Sequence, residues 1–210
     1  MTFLDQCIIG FDQLLRTALP VWPGFTTEKN PADDKADLYM SQVDKHKSKN
    51  MMRVNLAGEV AAQGLYRGQL LLAKDKSLQK HLNDAAIDEL AHYVWCLKRL
   101  EALGGKPSIF NPLWYWGALS IGLCAALISD EISLGFVIAT EEQVGQHLAT
   151  HLLNIPKTDL QSTAIIAKMY EDELQHAFEA EQKGGQRLPM FVQFLMHLSA
   201  QVMIKVTTII

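Results

Sequence analysis

Cysteine is scarce in this chain, and its placement excludes several kinds of site. The three cysteines, Cys7, Cys96 and Cys124, are far apart, odd in number and never form a C-x-x-C pair. This pattern excludes a zinc ribbon and a thioredoxin-type redox site, and it suits a reducing compartment. We expect each of the three to be a small buried hydrophobic residue.

The chain also lacks an arginine-rich run, and its formal net charge is -4. This charge argues against non-specific binding of nucleic acid, so we expect no nucleic-acid partner. One small basic group precedes a long apolar pattern and consists of Lys45, Lys47, Lys49 and Arg53. A solvated helix start is favoured over a contact with anionic lipid for this group.

A targeting segment is not evident either. The N-terminal region has no basic segment ahead of an apolar core, and the acidic residues Asp5 and Asp12 occur early. It also lacks the arginine- and serine-rich, acid-poor composition of a transit peptide. We therefore expect the protein to act in the compartment where it is made.

Strand-like alternation and glycine-rich phosphate loops are absent from the sequence, which predicts an all-α fold. Apolar residues at helical spacing predict helices over 3–19, 45–73, 77–103, 133–153, 159–183 and 190–206. Ser77 is the expected N-cap of the third of these. We predict one domain over 1–210, in which a polar linker over 20–44 separates the extra N-terminal helix from a four-helix bundle.

The stretch 113–129, from Leu113 to Ser129, contains no charged residue and begins with an aromatic group that includes Trp114 and Trp116. Its length is at the lower end of what a membrane-spanning helix needs, so a full span is the least favoured interpretation. Two others stay open from the residues alone. The stretch is a buried core helix, or it is a helix half-sunk in a membrane interface and anchored by its aromatic residues.

Two Glu-x-x-His pairs carry the chemistry that the sequence predicts: Glu89 with His92, and Glu173 with His176. In a helix, positions i and i+3 share a face, so each pair directs a carboxylate and an imidazole to one place. A single glutamate in an apolar stretch precedes each pair, Glu59 by 30 residues and Glu141 by 32. One glutamate from each of two helices and a Glu-x-x-His from each of two more form a ferritin-like di-iron or di-manganese site.

About 0.4 such pairs are expected by chance in a chain of this composition, so one pair alone would mean little. Two pairs at matched spacing strongly favour a metal site over solvent-exposed carboxylates. Asp88 and Asp172 precede the paired glutamates, and each is expected to accept a hydrogen bond from a histidine of the other pair. Exposed acids are the alternative for both. His147 is interpreted as reaching the edge of the site or as structural, and Tyr66 as lining a substrate channel or as core.

Five motifs together resemble one family. They are Arg53-Val54-Asn55-Leu56-Ala57-Gly58-Glu59, Leu65-Tyr66-Arg67-Gly68-Gln69, Pro112-Leu113-Trp114, Thr140-Glu141-Glu142 and Asp172-Glu173-Leu174-Gln175-His176. The chain resembles the demethoxyubiquinone hydroxylases of ubiquinone biosynthesis over residues 45–208. The Ala-Gly-Glu and Tyr-x-Gly-Gln elements favour this family over ferritins in general.

This resemblance implies a di-iron monooxygenase that hydroxylates the ring of a polyprenylated demethoxy-benzoquinone with O₂. The implied metal ligands are Glu59, Glu89, His92, Glu141, Glu173 and His176. Glu89 and Glu173 would bridge two iron ions, with manganese less favoured and NADH as the suggested reductant. The resemblance also implies a peripheral protein of the cytoplasmic membrane face, attached through 113–129. A lipid-presenting partner protein and a homo-oligomer are compatible with it. One departure is Leu148, where some members have a tyrosine.

Other functions share this metal site. A ferroxidase or iron-storage protein would need a charge-rich exterior for cage assembly, which the Trp-rich apolar stretch argues against. A manganese catalase fits the site geometry, and so does a tRNA hydroxylase, although the acidic charge opposes the latter. A non-catalytic, membrane-associated helical adaptor is the remaining alternative, and it predicts no bound metal.

Overall fold

A computed structural model of the protein describes residues 28–209, together with residues 2, 5 and 8. The described residues form six helices and no strand, which confirms the all-α prediction. The helices are α1 (Gln42–Leu72), α2 (Lys76–Ala102), α3 (Asn111–Ile128), α4 (Asp130–Asn154), α5 (Leu160–Gln182) and α6 (Met190–Ile209). The helix predicted over 3–19 falls almost entirely outside the described residues, and the single domain over 1–210 stays a prediction.

Side-chain caps determine where the helices begin, and they correct the predicted boundaries. Ser77 is not the N-cap of α2. The carboxylate of Asp75 accepts a hydrogen bond from the Leu78 N–H at 2.8 Å, so the helix begins earlier. An acidic cap is favoured there because the N-terminus of a helix carries partial positive charge. Ser129 likewise caps α4, and Ser41 caps α1, so the linker predicted over 20–44 ends before Gln42.

The bundle consists of two helical hairpins, α1 with α2 and α4 with α5, which pack against each other. Its apolar core is divided in two. One cluster includes Leu56 on α1, Trp95 on α2 and Ile165 on α5, and the other includes Leu82 on α2 and Val137 on α4. The predicted metal ligands occupy intermediate positions along all four helices. The fold therefore places a charged layer between two apolar layers.

Helix α3 packs against α1 with its backbone in direct contact. A Cβ atom on Gly64 would lie 2.3 Å from the Tyr115 carbonyl oxygen, and one on Gly122 would lie 2.2 Å from that of Leu65. Only glycine fits at either position, because a methyl group there would overlap backbone that cannot rotate away. These glycines hold α3 close to the helix that carries Glu59.

Helices α3 and α6 are both long and apolar enough to cross a membrane, judged by length and composition only. They differ from core helices in their exposure, since only 28% of the residues in the α3 window and 6% in the α6 window are buried. Large apolar side chains therefore face outward, among them Leu113 and Ile128 on α3 and Phe191 and Phe194 on α6. A buried core helix is thus the wrong interpretation of the stretch 113–129.

The predicted burial of the cysteines is correct for Cys96 and wrong for Cys124, whose side chain is exposed on α3. Cys124 lies in the helix whose apolar residues face outward, so apolar character there does not lead to burial. Cys7 lies outside the described residues.

Candidate metal centre

Four of the six predicted ligands form a compact buried group. One ligand atom each from Glu59, Glu89, His92 and Glu173 lie within 4.8 Å of one another. The four side chains come from α1, α2 and α5, and none is more than 2% exposed. Charged groups at this depth need partners, because removing a carboxylate from water is costly unless it is paired or bound to a metal.

The other two predicted ligands adjoin this group. His176 Nδ1 lies 3.3 Å from Glu89 Oε1 and 4.0 Å from Glu173 Oε2. Glu141 on α4 is 1% exposed and interacts with Glu173. The structure thus brings all six residues together, from four helices, at the level between the two apolar layers.

Both histidines direct the same ring nitrogen into the cluster. His92 Nδ1 lies 3.6 Å from a carboxylate oxygen of both Glu89 and Glu173, whereas its Nε2 lies 3.0 Å from Asp172 Oδ2. In the same way, His176 Nε2 lies 3.3 Å from Asp88 Oδ2.

An Nε2–H that donates to an aspartate leaves the lone pair of Nδ1 free to bind a cation. Each aspartate belongs to the opposite hairpin from its histidine, so the contacts cross the bundle. That Asp88 and Asp172 orient metal ligands stays a prediction.

Unpartnered polar atoms test whether this cluster suits a metal. Every one of the six residues has a buried nitrogen or oxygen atom without a hydrogen-bond partner. These atoms are Glu59 Oε2, Glu89 Oε1, His92 Nδ1, Glu141 Oε2, Glu173 Oε1 and Oε2, and His176 Nδ1. Buried polar groups almost always have partners, so a convergence of unpartnered acceptors calls for a cation. Carboxylate oxygen and imidazole nitrogen are the donor set of di-iron and di-manganese proteins.

The electrostatics of the cluster agree with this interpretation. Burial raises the pKa of Glu59 and of Glu173 well above the usual range, and the nearby Glu89 carboxylate raises both further. Burial alone would lower the pKa of His176, but contacts with Asp88 and Glu89 raise it to about 10. The cluster without metal therefore retains protons that a bound cation must displace. Metal affinity should accordingly fall as the pH is lowered.

Tyr66 lies inside the bundle and not along a channel. It is fully buried in the second apolar cluster, and its hydroxyl donates to Glu141 Oε1 at 2.5 Å. Burial and the Glu141 carboxylate raise the pKa of Tyr66 well above its ordinary value, so the hydroxyl stays protonated and remains a donor. Of the two interpretations from sequence, the core position is the observed one, with a polar contact that the sequence did not predict.

His147 lies beside a cleft that reaches the cluster. This cleft has a volume of about 380 Å³ between α1, α4 and α6, and Asn55, Glu59, His147 and His197 line it. The rings of His147 and His151 are 4.0 Å apart, and burial lowers the pKa of His147. His147 therefore lines the same cleft as Glu59, and its place at the edge of the metal site stays a prediction.

A second cleft, of about 440 Å³, is lined almost entirely by apolar residues of α1, α3, α4 and α6. Gly58, directly before Glu59, lines both clefts. Small residues such as Ala61 on α1 and Gly117 on α3 leave the space open. Sequence reasoning missed this cleft, because it depends on how four helices that are distant in sequence come together. The run of small residues around Glu59 was the available signal.

Comparison with known proteins agrees with this geometry. The family model described as ubiquinone biosynthesis protein COQ7 matches residues 46–207. A protein of Francisella tularensis subsp. novicida (strain U112), named 3-demethoxyubiquinol 3-hydroxylase, is 45% identical over 204 residues, which are 97% of this chain and 95% of that protein. Proteins of the same name from F. tularensis subsp. tularensis (strain WY96-3418) and subsp. holarctica (strain LVS) are 44% and 43% identical over the same shares of both chains.

Proposed function

Since the chain belongs to the ubiquinone biosynthesis protein COQ7 family, we propose that it hydroxylates the ring of a polyprenylated demethoxy-benzoquinol, a precursor of ubiquinone. The observation that carries the proposal is the buried carboxylate–histidine cluster, with an apolar cleft lined by Gly58, the residue directly before Glu59. The cluster suits metal-dependent oxidation, and the cleft suits a ring with a prenyl tail. A ferroxidase would need the cluster but not the cleft.

The metal ligands in this proposal are Glu59, Glu89, His92, Glu141, Glu173 and His176. They would hold two iron ions, with manganese less favoured, and the bound iron supplies the redox chemistry that activates O₂. Asp88 and Asp172 hold the histidine rings so that Nδ1 faces the cluster. The surrounding apolar layers exclude water, which strengthens the electrostatic interactions inside the site.

The overall reaction replaces a ring C–H by C–OH. One atom of O₂ enters the product and the other leaves as water, which requires two electrons and two protons from a reductant. The sequence has no Gly-x-Gly-x-x-Gly motif for a tightly held nicotinamide. NADH would therefore bind transiently, or the quinol itself would supply the electrons.

The apolar cleft offers a route for the substrate. Its lining includes Leu113, Trp114 and Ile121 on α3 and Met196 and Met203 on α6. These are the two helices that are long and apolar enough to cross a membrane, so a cleft between them and the bundle would receive a quinone directly from a lipid layer. The proposal therefore includes peripheral attachment to the cytoplasmic face of the membrane, through 113–129 and α6. A partner protein that presents the lipid and a homo-oligomer are both compatible with this arrangement.

The test is a reaction of the purified, iron-loaded protein with a demethoxyquinol, a reductant and ¹⁸O₂. We expect about two irons per chain and a hydroxylated product that carries one ¹⁸O atom. Glu173→Ala should abolish both, whereas Glu171→Ala should retain both, because Glu171 is exposed on the same helix. Iron oxidation without hydroxylated product, or equal losses in the two variants, would contradict the proposal.

A further inference from the structure

The candidate metal centre has an internal two-fold repeat. Helix α1 corresponds to α4 and α2 to α5, so that Glu59 corresponds to Glu141 and His92 to His176. The hydrogen bonds follow the repeat, since His92 contacts Asp172 and His176 contacts the corresponding residue of the first hairpin, Asp88. A perfectly symmetric surrounding would give two equivalent metal positions.

One contact breaks the repeat. Tyr66 lies seven residues after Glu59 on α1, and its hydroxyl donates across the bundle to Glu141 Oε1 at 2.5 Å. The corresponding position, seven residues after Glu141 on α4, is Leu148. Leu148 is 1% exposed and has no polar atom to donate. The carboxylate of Glu141 therefore has a donor that Glu59 lacks.

The surroundings of Glu59 differ from those of Glu141 in a second way. Glu59 and Leu148 both line the 380 Å³ cleft, together with Asn55, which lies one turn before Glu59. Glu59 Oε2 and Asn55 Oδ1 are both without hydrogen-bond partners. The counterpart of Asn55 on α4 is Val137, which is fully buried and apolar. The Glu59 end of the centre thus adjoins a cleft, whereas the Glu141 end lies under Tyr66.

We propose that Tyr66 is a positioning residue that fixes Glu141 in one metal-binding mode, and that the absence of a donor at Leu148 leaves Glu59 free to change mode beside the cleft. The reason is the difference in the hydrogen bonds that the two carboxylates accept. Oε1 of Glu141 is engaged by the Tyr66 hydroxyl, which favours the unpartnered Oε2 as the metal-binding atom, whereas Oε2 of Glu59 has no partner and position 148 supplies no hydroxyl to restrain that carboxylate. A hydrogen-bonded neighbour of this kind tunes ligand geometry and metal affinity.

Two inequivalent metal positions follow. The position next to Glu141 and His176 is the fixed one, and the position next to Glu59 and His92 is the adaptable one, where a small exogenous molecule enters from the cleft. The inference rests on the metal site of the proposed function but not on its quinone substrate.

The test uses the full chain and anaerobic ⁵⁷Fe(II), with Mössbauer spectra and a binding titration as readouts that need no turnover. We expect two quadrupole doublets of equal area in the unchanged protein. Tyr66→Phe removes the hydroxyl but keeps the ring, and it should weaken one of the two binding steps about tenfold and alter one doublet. Leu148→Tyr adds the missing donor and should make the doublets more alike. Tyr115→Phe, in a buried tyrosine of α3, is the matched control and should change neither readout.

Four results would overturn the inference. A single doublet in the unchanged protein would mean equivalent positions, and equal changes of both steps in Tyr66→Phe would mean a general packing effect. A Tyr66→Phe protein that matches the Tyr115→Phe control would mean that the hydroxyl does not act on the site. Fewer than two bound irons in the unchanged protein would contradict the proposed function as well. If Tyr66→Phe fails to fold, Leu148→Tyr decides alone, because its position borders a cleft with room for the ring.

Discussion

The four bundle helices bury charged side chains, whereas the two outer helices expose large apolar ones. The two groups of helices thus depart in opposite ways from the usual pattern, in which apolar residues are buried and charged residues are exposed. Helices α1, α2, α4 and α5 enclose four carboxylates and two histidines at the centre of the molecule. Helices α3 and α6 direct large apolar side chains outward. Neither arrangement favours a stable chain in water on its own. In the proposed function, each would be explained by a component outside the chain, a metal in the first case and a lipid layer in the second.

The two arrangements also differ in how firmly contacts within the chain hold them in place. The central carboxylates come from four helices with apolar packing on both sides, and each central histidine contacts an aspartate of the opposite hairpin. The apolar residues of α6, by contrast, have little around them, and Thr207 is the one buried residue of this helix. Contacts within the chain therefore organise the bundle centre, whereas few such contacts surround the outer face of α6.

The largest expected effect comes from removing a charge from the centre. Glu173→Leu should make the metal-free protein more stable by about 1 kcal/mol, because it removes a buried carboxyl whose pKa is raised by burial, Glu89 and Glu141. The same change should abolish stabilisation by metal. In the unchanged protein that stabilisation is about 4 kcal/mol when anaerobic Fe(II) is present at a thousand times its Kd. Thermal unfolding with and without Fe(II) measures both.

The matched control is Glu171→Leu, because Glu171 is exposed on the same helix. It should keep the response to Fe(II) and leave the metal-free stability nearly unchanged. A Glu173→Leu protein that is less stable without metal, or one that still responds to Fe(II), would show that the central charges stabilise the fold by themselves. The contrast between the two regions would then be lost.

A smaller effect is expected where the two regions meet, at the contact of α1 with α3. Gly122→Ala would place a Cβ atom 2.2 Å from the Leu65 carbonyl oxygen, so α3 must move away from α1. We expect a loss of about 1–3 kcal/mol in the free energy of unfolding, measured by chemical denaturation. Gly117→Ala on the same helix meets nothing within 4 Å and should instead stabilise by up to about 1 kcal/mol through helix propensity. Equal effects of both changes would mean that α3 is not held by this contact.

Sequence reasoning reached the centre of the molecule more fully than its exterior. Positions such as Glu89 and His92 are related by the helical repeat alone, so their common face could be predicted from spacing. The pairing of the two hairpins followed from matched separations between Glu59 and Glu89 and between Glu141 and Glu173. These relations are local or repeated along the chain, so they can be predicted without knowledge of the tertiary structure.

The features that were missed depend on contacts between distant residues. The Tyr66 hydroxyl reaches Glu141 across the bundle, and nothing in the spacing along α1 indicates that partner. The backbone contact of Gly122 with α1 and the exposure of Cys124 depend on where α3 lies. The error at Ser77 has a different origin, because Asp75 and Ser77 are both good caps and the sequence alone does not rank them.

The smallest effect is expected on the outer face and tests the lipid part of the comparison. Phe194 on α6 is 61% exposed, so Phe194→Ser should change the folding stability by less than about 0.5 kcal/mol. Inserting part of a phenyl ring into a lipid interface is worth about 1.4 kcal/mol, which corresponds to about tenfold weaker binding when the ring is removed. Sedimentation with phosphatidylcholine vesicles, without detergent, measures this. Leu153→Ser is the control, because Leu153 is an exposed apolar residue (87%) that belongs to α4 and to neither α3 nor α6. Two results would show that the exposed apolar residues of α6 do not serve attachment to lipid: both variants bind as tightly as the unchanged protein, or the unchanged protein does not bind vesicles at all. Only the buried charges would then still call for a component outside the chain.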